Sequence, residues 1–323
     1  MTNPSSTLPS LTMAVNRSGS DEQTSTSTDR SVVAQGVEAE SGASPSRPVV
    51  PGALALGTVG AVGVVGALSH LRHRFERSQM FLPEAYPSGI WNPGTFGVEA
   101  EDVWFESADG TPLHGWWMPA KRARGTVLYC HGNAGNITGQ ITAYRYLQRF
   151  RLNVFAFDYR GYGRSEGRPS EAGVLADAHA AHDLLRVRFG VCDSELVIYG
   201  HSLGGAIAVD CAVHRPAAGL VVQSSFTDTR EVARERFGSV PVHWIAVRRF
   251  RSIDKVRDLD LPKLIIHGTE DGTIGHSIGE RLFEAAAEPK HWVSVPRAGH
   301  SDVHRHGGLA LRRALRKFFN QVL

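Results

Sequence analysis

From residue 101 onward, short apolar runs alternate with stretches in which apolar residues recur every three or four positions. The first pattern is typical of buried strands and the second of amphipathic helices. Strands are predicted at residues 101–107, 112–120, 125–130, 152–159, 195–200, 219–225, 263–268 and 291–296. Helices are predicted at residues 143–150, 171–189, 203–213 and 309–322. This alternation predicts one α/β domain whose mostly parallel sheet is covered by helices on both faces.

A hairpin at the edge of the sheet and one long helix can be predicted in more detail. The tetrapeptide Ala108-Asp109-Gly110-Thr111 joins the first two strands, and its Asp-Gly pair is a strong hairpin signal. These two strands are therefore predicted to be antiparallel. The helix at residues 171–189 is predicted to bury an apolar face. That face consists of Val174, Leu175, Ala178, Ala181, Leu184, Leu185 and Val187.

The first fifth of the chain has a different composition. Residues 1–48 are dense in Ser, Thr, Pro and Gly and poor in large apolar side chains, so they are predicted to be a disordered polar tail. Residues 49–69 carry no charge and are long enough to span a bilayer, which takes about 20 apolar residues. They are predicted to be a single membrane anchor, with a helix packed on the catalytic domain as the alternative. Arginines follow directly, and they favour a cytoplasmic position for the domain at residues 79–323.

Charge and cysteine content exclude several classes of function. Lys and Arg number 35 against 32 Asp and Glu, which gives a net charge of +3. Because phosphate binding needs a concentrated basic face, nucleic acid is not an expected partner. Cys130, Cys192 and Cys211 form neither an even framework nor a CxxC pair, so they are predicted to be small buried residues. No motif indicates a metal or a cofactor, and none is expected.

The strongest chemical motif is the sequence GHSLGG at residues 200–205. An apolar strand runs straight into it and a helix follows, which is the setting of a nucleophile elbow. The sharp turn strains the backbone of Ser202, and glycines are needed at positions 200 and 204, where a Cβ would clash. Ser202 is therefore predicted to be a nucleophile at the C-terminal end of its strand.

A serine hydroxyl is a poor nucleophile unless a base and an orienting acid assist it. In this setting the acid and then the histidine are expected downstream of the serine. Asp271, after the seventh strand, fits the acid, with Glu270 as the second choice, and His300 follows the eighth strand. His201 is predicted to pack beside the nucleophile without taking protons. Four further histidines are predicted to be structural or solvated: His267, His291, His304 and His306.

An oxyanion formed during acyl transfer needs two N–H donors. Leu203, directly after the serine, is predicted to supply one. The loop after the third strand, residues 131–136, has the sequence HGNAGN, whose small residues allow close approach of a substrate carbonyl. Asn133 is predicted to supply the second donor, with Ala134 as the alternative.

These motifs resemble the α/β-hydrolase superfamily and, within it, the serine-aminopeptidase-type (S33-like) group of membrane-associated hydrolases. The matching stretches are YPSGIW (86–91), ADGTPLHGWWMPA (108–120), CHGNAGN (130–136), FDYRGYGRSEG (157–167), GHSLGG (200–205), HGTEDGT (267–273) and AGHSD (298–302). The resemblance implies an eight-stranded, mostly parallel sheet whose second strand is antiparallel. It also implies the triad Ser202, Asp271 and His300, together with an N-terminal hydrophobic anchor. Relatives commonly carry Val-Pro after the acid, where this chain has Thr273-Ile274-Gly275.

The insert between the sixth and seventh strands, residues 225–261, is too short for a separate cap domain. An open site of this kind suits a small-molecule or acyl-chain ester substrate. Arg248, Arg249 and Arg251 in the insert are predicted to be balanced by nearby aspartates, with docking on an anionic membrane as the alternative. The predicted function is hydrolysis of carboxylic esters or thioesters through an acyl-enzyme. An aminopeptidase-like amide hydrolase and a non-catalytic binding or scaffold protein are the alternatives.

Overall fold

The computed structural model describes residues 80–238 and 248–323. The predicted polar tail at residues 1–48 and the predicted anchor at residues 49–69 lie outside the described residues, so both stay predictions. Within the described ranges, no helix is both long and apolar enough to cross a bilayer.

Eight strands form one sheet, as the resemblance implies. They are β1 (Glu101–Glu106), β2 (Pro112–Met118), β3 (Gly125–Cys130), β4 (Leu152–Phe157), β5 (Leu196–His201), β6 (Gly219–Gln223), β7 (Lys263–Gly268) and β8 (Lys290–Val295). Their spatial order is β8-β7-β6-β5-β3-β4-β2-β1. The second strand is antiparallel to both of its neighbours, and the other pairs are parallel. The predicted edge hairpin is therefore confirmed.

Helices cover both faces of this sheet, which confirms the predicted layering. They are α1 (Ile141–Gln148), α2 (Glu171–Phe189), α3 (Leu203–His214), α4 (Thr229–Phe237), α5 (Ser252–Lys255), α6 (His276–Ala285), α7 (Val303–His306) and α8 (Gly308–Val322). One apolar core lies between the sheet and helices α2, α3 and α6. A second core on the opposite face contains the apolar residues of α1 and α8. The bounds predicted for β3, β7 and α2 agree with the structure.

The predicted apolar face of α2 is correct except at its C-terminal end. Val174, Ala178, Ala181 and Leu185 are buried at the helical spacing, whereas the Val187 side chain is 88% exposed. Residue 187 lies about 200° around the helix from residue 185, because each residue turns the helix by about 100°. Val187 therefore faces solvent although its neighbours in sequence are apolar.

The cysteine prediction is right for two residues and wrong for one. Cys130 and Cys211 are buried and unpaired, whereas Cys192 is exposed. Cys192 lies directly before the 3₁₀ turn Asp193–Glu195, which leads into β5 at the surface.

The insert between β6 and β7 contains α4, α5 and the 3₁₀ turn Val256–Asp258 in its described part. Each of its three notable arginines contacts an acid, which favours the charge-balanced interpretation over a membrane-docking one. The ion pairs are Arg248 with Asp228 and Asp254, Arg249 with Glu171, and Arg251 with Asp254.

The predicted site residues lie at the end of the sheet where the parallel strands have their C-termini. The strands β3, β5, β7 and β8 run in the same direction, so their C-terminal ends meet there. The loop 131–136 follows β3, Ser202 follows β5, Asp271 follows β7 and His300 follows β8. The topology therefore brings together residues that are far apart in the sequence.

Candidate active site

Ser202 occupies the strained turn that the motif predicts. Its backbone angles are φ 57° and ψ −122°, outside the regions that non-glycine residues favour. The turn is held by the Ser202 N–H, which donates to the Gln223 carbonyl at 2.9 Å. The Ser225 hydroxyl donates to the Ser202 carbonyl at 2.8 Å. The hydroxyl of Ser202 is thereby presented between β5 and the N-terminus of α3.

The glycines on either side of this serine are required by space. A Cβ on Gly200 would lie 2.1 Å from the Gly204 carbonyl oxygen. A Cβ on Gly204 would lie 2.0 Å from the Cys130 carbonyl oxygen. Since real Cβ atoms do not approach backbone so closely, larger side chains would force the strand and the helix apart.

His300 connects Ser202 to Asp271. Its Nδ1 lies 2.8 Å from Asp271 Oδ2, and its Nε2 lies 2.9 Å from Ser202 Oγ. The nitrogen that faces the carboxylate carries the proton, which leaves the other nitrogen to accept the serine hydroxyl proton. The structure thus brings together the three residues that the sequence predicts, in the order required for general-base activation of a serine.

Asp271 is held by hydrogen bonds to both of its oxygens. Oδ1 accepts the backbone N–H groups of Thr273 and Ile274, each at 2.9 Å. Burial alone would raise the pKa of Asp271, but hydrogen bonds from His267 and His300 outweigh it and hold that pKa well below its usual range. Asp271 is therefore a carboxylate at neutral pH, and the Thr-Ile sequence after it supplies two N–H donors to that carboxylate.

Two further histidines hold the active-site loops. His267 Nε2 lies 2.9 Å from the Ile274 carbonyl and 3.3 Å from Asp271 Oδ2, and its ring is fully buried. His201 Nε2 donates to the His300 backbone carbonyl at 3.0 Å. Sequence reasoning placed His201 beside the nucleophile but missed this bond. For His267 the available signal was its position four residues before the acid, at the end of β7.

The two predicted oxyanion donors belong to segments that lie next to Ser202. Leu203 is buried at the first position of α3, directly after the serine. A Cβ placed on Gly132 would lie 3.5 Å from Ser202 Cβ, so the loop 131–136 passes beside the nucleophile. Asn133 follows Gly132 and is half-buried, whereas Ala134 is exposed. Asn133 therefore stays the predicted second donor, with Ala134 as the alternative.

The peptide plane that contains the Asn133 N–H is anchored by a buried histidine. His131 Nδ1 donates to the Gly132 carbonyl at 2.7 Å. Burial lowers the pKa of His131 to about 4, so the ring is neutral at physiological pH. In a trans peptide the carbonyl and the following N–H point in opposite directions. The bond to Gly132 therefore fixes the direction of the Asn133 N–H.

Within the described ranges, one group of side chains away from Ser202 could hold a metal ion. His179, Asp210 and His214 have ligand atoms within 4.8 Å of one another, and two imidazoles with a carboxylate suit Zn²⁺. However, the Lys255 ammonium forms an ion pair with the same carboxylate. Lys255 therefore already supplies the positive charge that a metal ion would bring to Asp210.

Comparisons with known proteins agree with this architecture. The serine aminopeptidase (S33) family model matches residues 121–254. An uncharacterized protein of Mycobacterium tuberculosis is 36% identical over 249 residues, which are 76% of this chain and 88% of that protein. Alpha/beta hydrolase domain-containing protein 17B of Xenopus tropicalis is 38% identical over 204 residues, covering 62% of this chain and 68% of that protein.

Solved structures show the same fold at lower identity. An esterase of Pyrococcus furiosus is similar with a TM-score of 0.64 and 18% identity, over 75% of this chain and 99% of that one. The esterase domain of a Rhodothermus marinus protein has a TM-score of 0.53 and 22% identity, over 68% of this chain and all of that domain.

Proposed function

Because this chain belongs to the α/β-hydrolase superfamily, we propose that it is a serine hydrolase that cleaves carboxylic esters or thioesters. One observation carries the proposal: the hydrogen-bonded series from Ser202 Oγ through His300 to Asp271, with distances of 2.9 and 2.8 Å. The strained backbone at Ser202 adds support, since such strain is concentrated at functional sites.

The geometry supports an acyl-enzyme mechanism. Ser202 Oγ would attack the substrate carbonyl carbon while His300 Nε2 takes the hydroxyl proton. Asp271 would stabilise the imidazolium, and the N–H groups of Leu203 and Asn133 would bind the oxyanion. His300 would then give the proton to the departing alcohol or thiol. Water, deprotonated by the same histidine, would release the acid and restore Ser202.

Ester and thioester hydrolysis is favoured over an aminopeptidase activity. An aminopeptidase needs a carboxylate that binds the free amine of its substrate near the reacting carbonyl. No motif of the sequence indicates an acidic pocket for that amine. Amide hydrolysis is therefore the alternative chemistry, and the short insert between β6 and β7 suits small-molecule or acyl-chain substrates.

Active-site labelling of the full chain with a fluorophosphonate probe tests the proposal. We expect the parent to be labelled and Ser202→Ala to be unlabelled. Ser294→Ala is a matched control, because Ser294 Oγ also lies 2.8 Å from a histidine nitrogen, that of His276, but at an exposed position within β8 and without an elbow. Labelling that persists in Ser202→Ala, or is lost in Ser294→Ala, would overturn the assignment.

Turnover of p-nitrophenyl esters of increasing acyl length provides the second measurement. Ser202→Ala is expected to lower turnover by about 10³-fold or more, as removal of a triad member does. Residual activity within about tenfold of the parent would contradict a nucleophilic role for this serine. A folded parent that is neither labelled nor active would instead indicate a non-catalytic binding protein on this fold.

A further inference from the structure

The segment at residues 82–88, here called the N-terminal strap, binds the loop that follows β3. Leu82–Pro83 pairs in parallel with Ala134–Gly135. The Leu82 N–H donates to the Asn133 carbonyl at 2.9 Å, and the Glu84 N–H donates to the Gly135 carbonyl at 3.0 Å. The strap therefore binds the part of the loop that begins at the second predicted oxyanion donor.

The side chain of Asn136, in the loop after β3, also forms hydrogen bonds to the strap. Asn136 Nδ2 donates to the carbonyls of Glu84 and Ser88, each at 3.0 Å. Its Oδ1 accepts the Thr138 N–H at 3.0 Å, which begins the 3₁₀ turn Ile137–Gln140. Asn136 is buried, so these bonds are shielded from competition by water.

The other side of the strap contacts the loop after β4. The Tyr86 N–H donates to the Gly163 carbonyl at 2.7 Å, and the Gly163 N–H donates to the Glu84 carbonyl at 3.0 Å. The hydroxyl of Tyr162 donates to the Asn133 carbonyl at 2.8 Å. The Asn133 carbonyl thus accepts two hydrogen bonds, one from Leu82 of the strap and one from Tyr162 in the loop after β4.

These contacts fix both peptide planes that meet at Asn133. The plane before it is held by His131 through the Gly132 carbonyl, and the plane after it is held by Leu82 and Tyr162. Fixing both planes leaves the Asn133 N–H with one direction in the loop beside Ser202. A donor that is aligned in advance stabilises a developing oxyanion without a cost of reorganisation.

We propose that the N-terminal strap positions the oxyanion hole. Leu82, Asn136 and Tyr162 are positioning residues that act through Asn133, and the proposal rests on the proposed serine hydrolase function. Because the oxyanion exists in the tetrahedral intermediate and not in the bound ester, loss of these contacts lowers kcat and leaves KM nearly unchanged.

Three substitutions remove the contacts in different ways. Leu82→Pro removes the N–H that donates to Asn133, and Tyr162→Phe removes the hydroxyl that donates to the same carbonyl. Asn136→Asp removes the Nδ2 donor and keeps an oxygen for the Thr138 N–H. Tyr144→Phe is the matched control, because the buried Tyr144 hydroxyl donates at 3.0 Å to the Ile137 carbonyl in the adjoining turn and not to Asn133.

Steady-state hydrolysis of p-nitrophenyl acetate by the full chain gives the first readout. Removing one oxyanion donor costs about 10²–10³-fold in kcat, so each of the three variants is expected to lose about tenfold or more. KM should stay within about twofold of the parent, since ground-state binding is not affected. The midpoint of the pH profile should not move, because His300 and Asp271 are untouched.

Inhibition by a trifluoromethyl ketone gives the second readout. Its adduct with Ser202 carries an oxyanion, so Ki should rise in parallel with the fall in kcat/KM across the three variants. If the three variants keep the kcat of the parent, or lose no more than Tyr144→Phe does, the strap proposal is overturned while Ser202→Ala stays inactive. A folded parent that is neither labelled by fluorophosphonate nor active would overturn the proposed function itself, and the strap proposal with it.

Discussion

The ring of His201 holds the backbone of His300, with Nε2 donating to the His300 carbonyl at 3.0 Å. Burial, with a contribution from the nearby His300 ring, lowers the pKa of His201 to about 3. His201 is therefore neutral at physiological pH, and its Nε2 proton stays available to the carbonyl. The residue directly before the proposed nucleophile thus fixes the loop that carries the proposed base.

Replacement of His201 tests this arrangement. His201→Phe keeps a buried ring and removes the donor, so the loop with His300 loses one of its anchors. Misplacement of a catalytic group by about 1 Å can lower the rate by 10²-fold, so we expect kcat to fall by about 10- to 100-fold. His201→Asn retains an N–H donor and should keep more activity. Ester kinetics with thermal unfolding of both variants check this, and equal kcat values for the two would contradict it.

Asp271→Asn is expected to lower kcat by about 10⁴-fold, as the equivalent loss does in a Ser-His-Asp triad. An amide can place an N–H opposite His300 Nδ1. This favours the His300 tautomer with its proton on Nε2, which cannot accept the proton of Ser202. Glu270→Gln is the matched control, because Glu270 is the exposed acid next to Asp271 and its activity should match the parent. Ester kinetics at neutral pH separate the two. A large loss in Glu270→Gln with little loss in Asp271→Asn would reverse the assignment.

The positions of Ser202, Asp271 and His300 could be predicted from the sequence because each follows an apolar strand. Parallel strands bring their C-terminal ends to one edge, so the order of the strands was sufficient to place these residues together. The residues that allow the sharp turn, the glycines on either side of Ser202, also lie within a few residues of the serine in the sequence. Local patterns therefore carry most of the information about this part of the site.

The residues that support the site could be predicted only in part: the sequence places His201 beside the nucleophile, but the hydrogen bonds of His201 and His267 could not be predicted from it. His267 lies on a fully buried strand, and its contact with Asp271 depends on a loop that folds back toward it. The N-terminal strap pairs through two residues only, which is too short for an apolar alternation to be visible. Its bonds to Asn133 and Gly135 come from backbone groups, so side-chain identity carries almost no signal for them.

Arg160 connects α2 to the turn of the β1–β2 hairpin. Its guanidinium donates to buried Asp177 at 2.7 Å and to exposed Asp109 at 2.7 Å. Asp177→Ala would leave the Arg160 charge without its buried partner, and breaking such a pair costs about 3–5 kcal/mol. Asp109→Ala should cost far less, because solvent replaces that contact. Urea unfolding of the two variants checks the ranking, which equal losses would contradict.

His304 makes the stability of the chain sensitive to acid. Its ring packs against Tyr146 with centroids 4.8 Å apart, and neither ring nitrogen has a hydrogen-bond partner in the described part of the chain. Burial lowers the pKa of His304 from 6.5 to about 4. Between these two values the unfolded chain binds a proton that the folded chain does not, so stability falls as the pH falls through this window.

His304→Phe removes this titration and keeps an aromatic ring at the site. At pH 7 the variant should be at least as stable as the parent, because a buried polar group without a partner costs about 1–3 kcal/mol. From pH 6.5 down to pH 4 it should lose less stability than the parent, by on the order of 1–3 kcal/mol. Urea unfolding at several pH values measures the difference, and parallel curves for His304→Phe and the parent would show that this ring does not titrate as its burial implies.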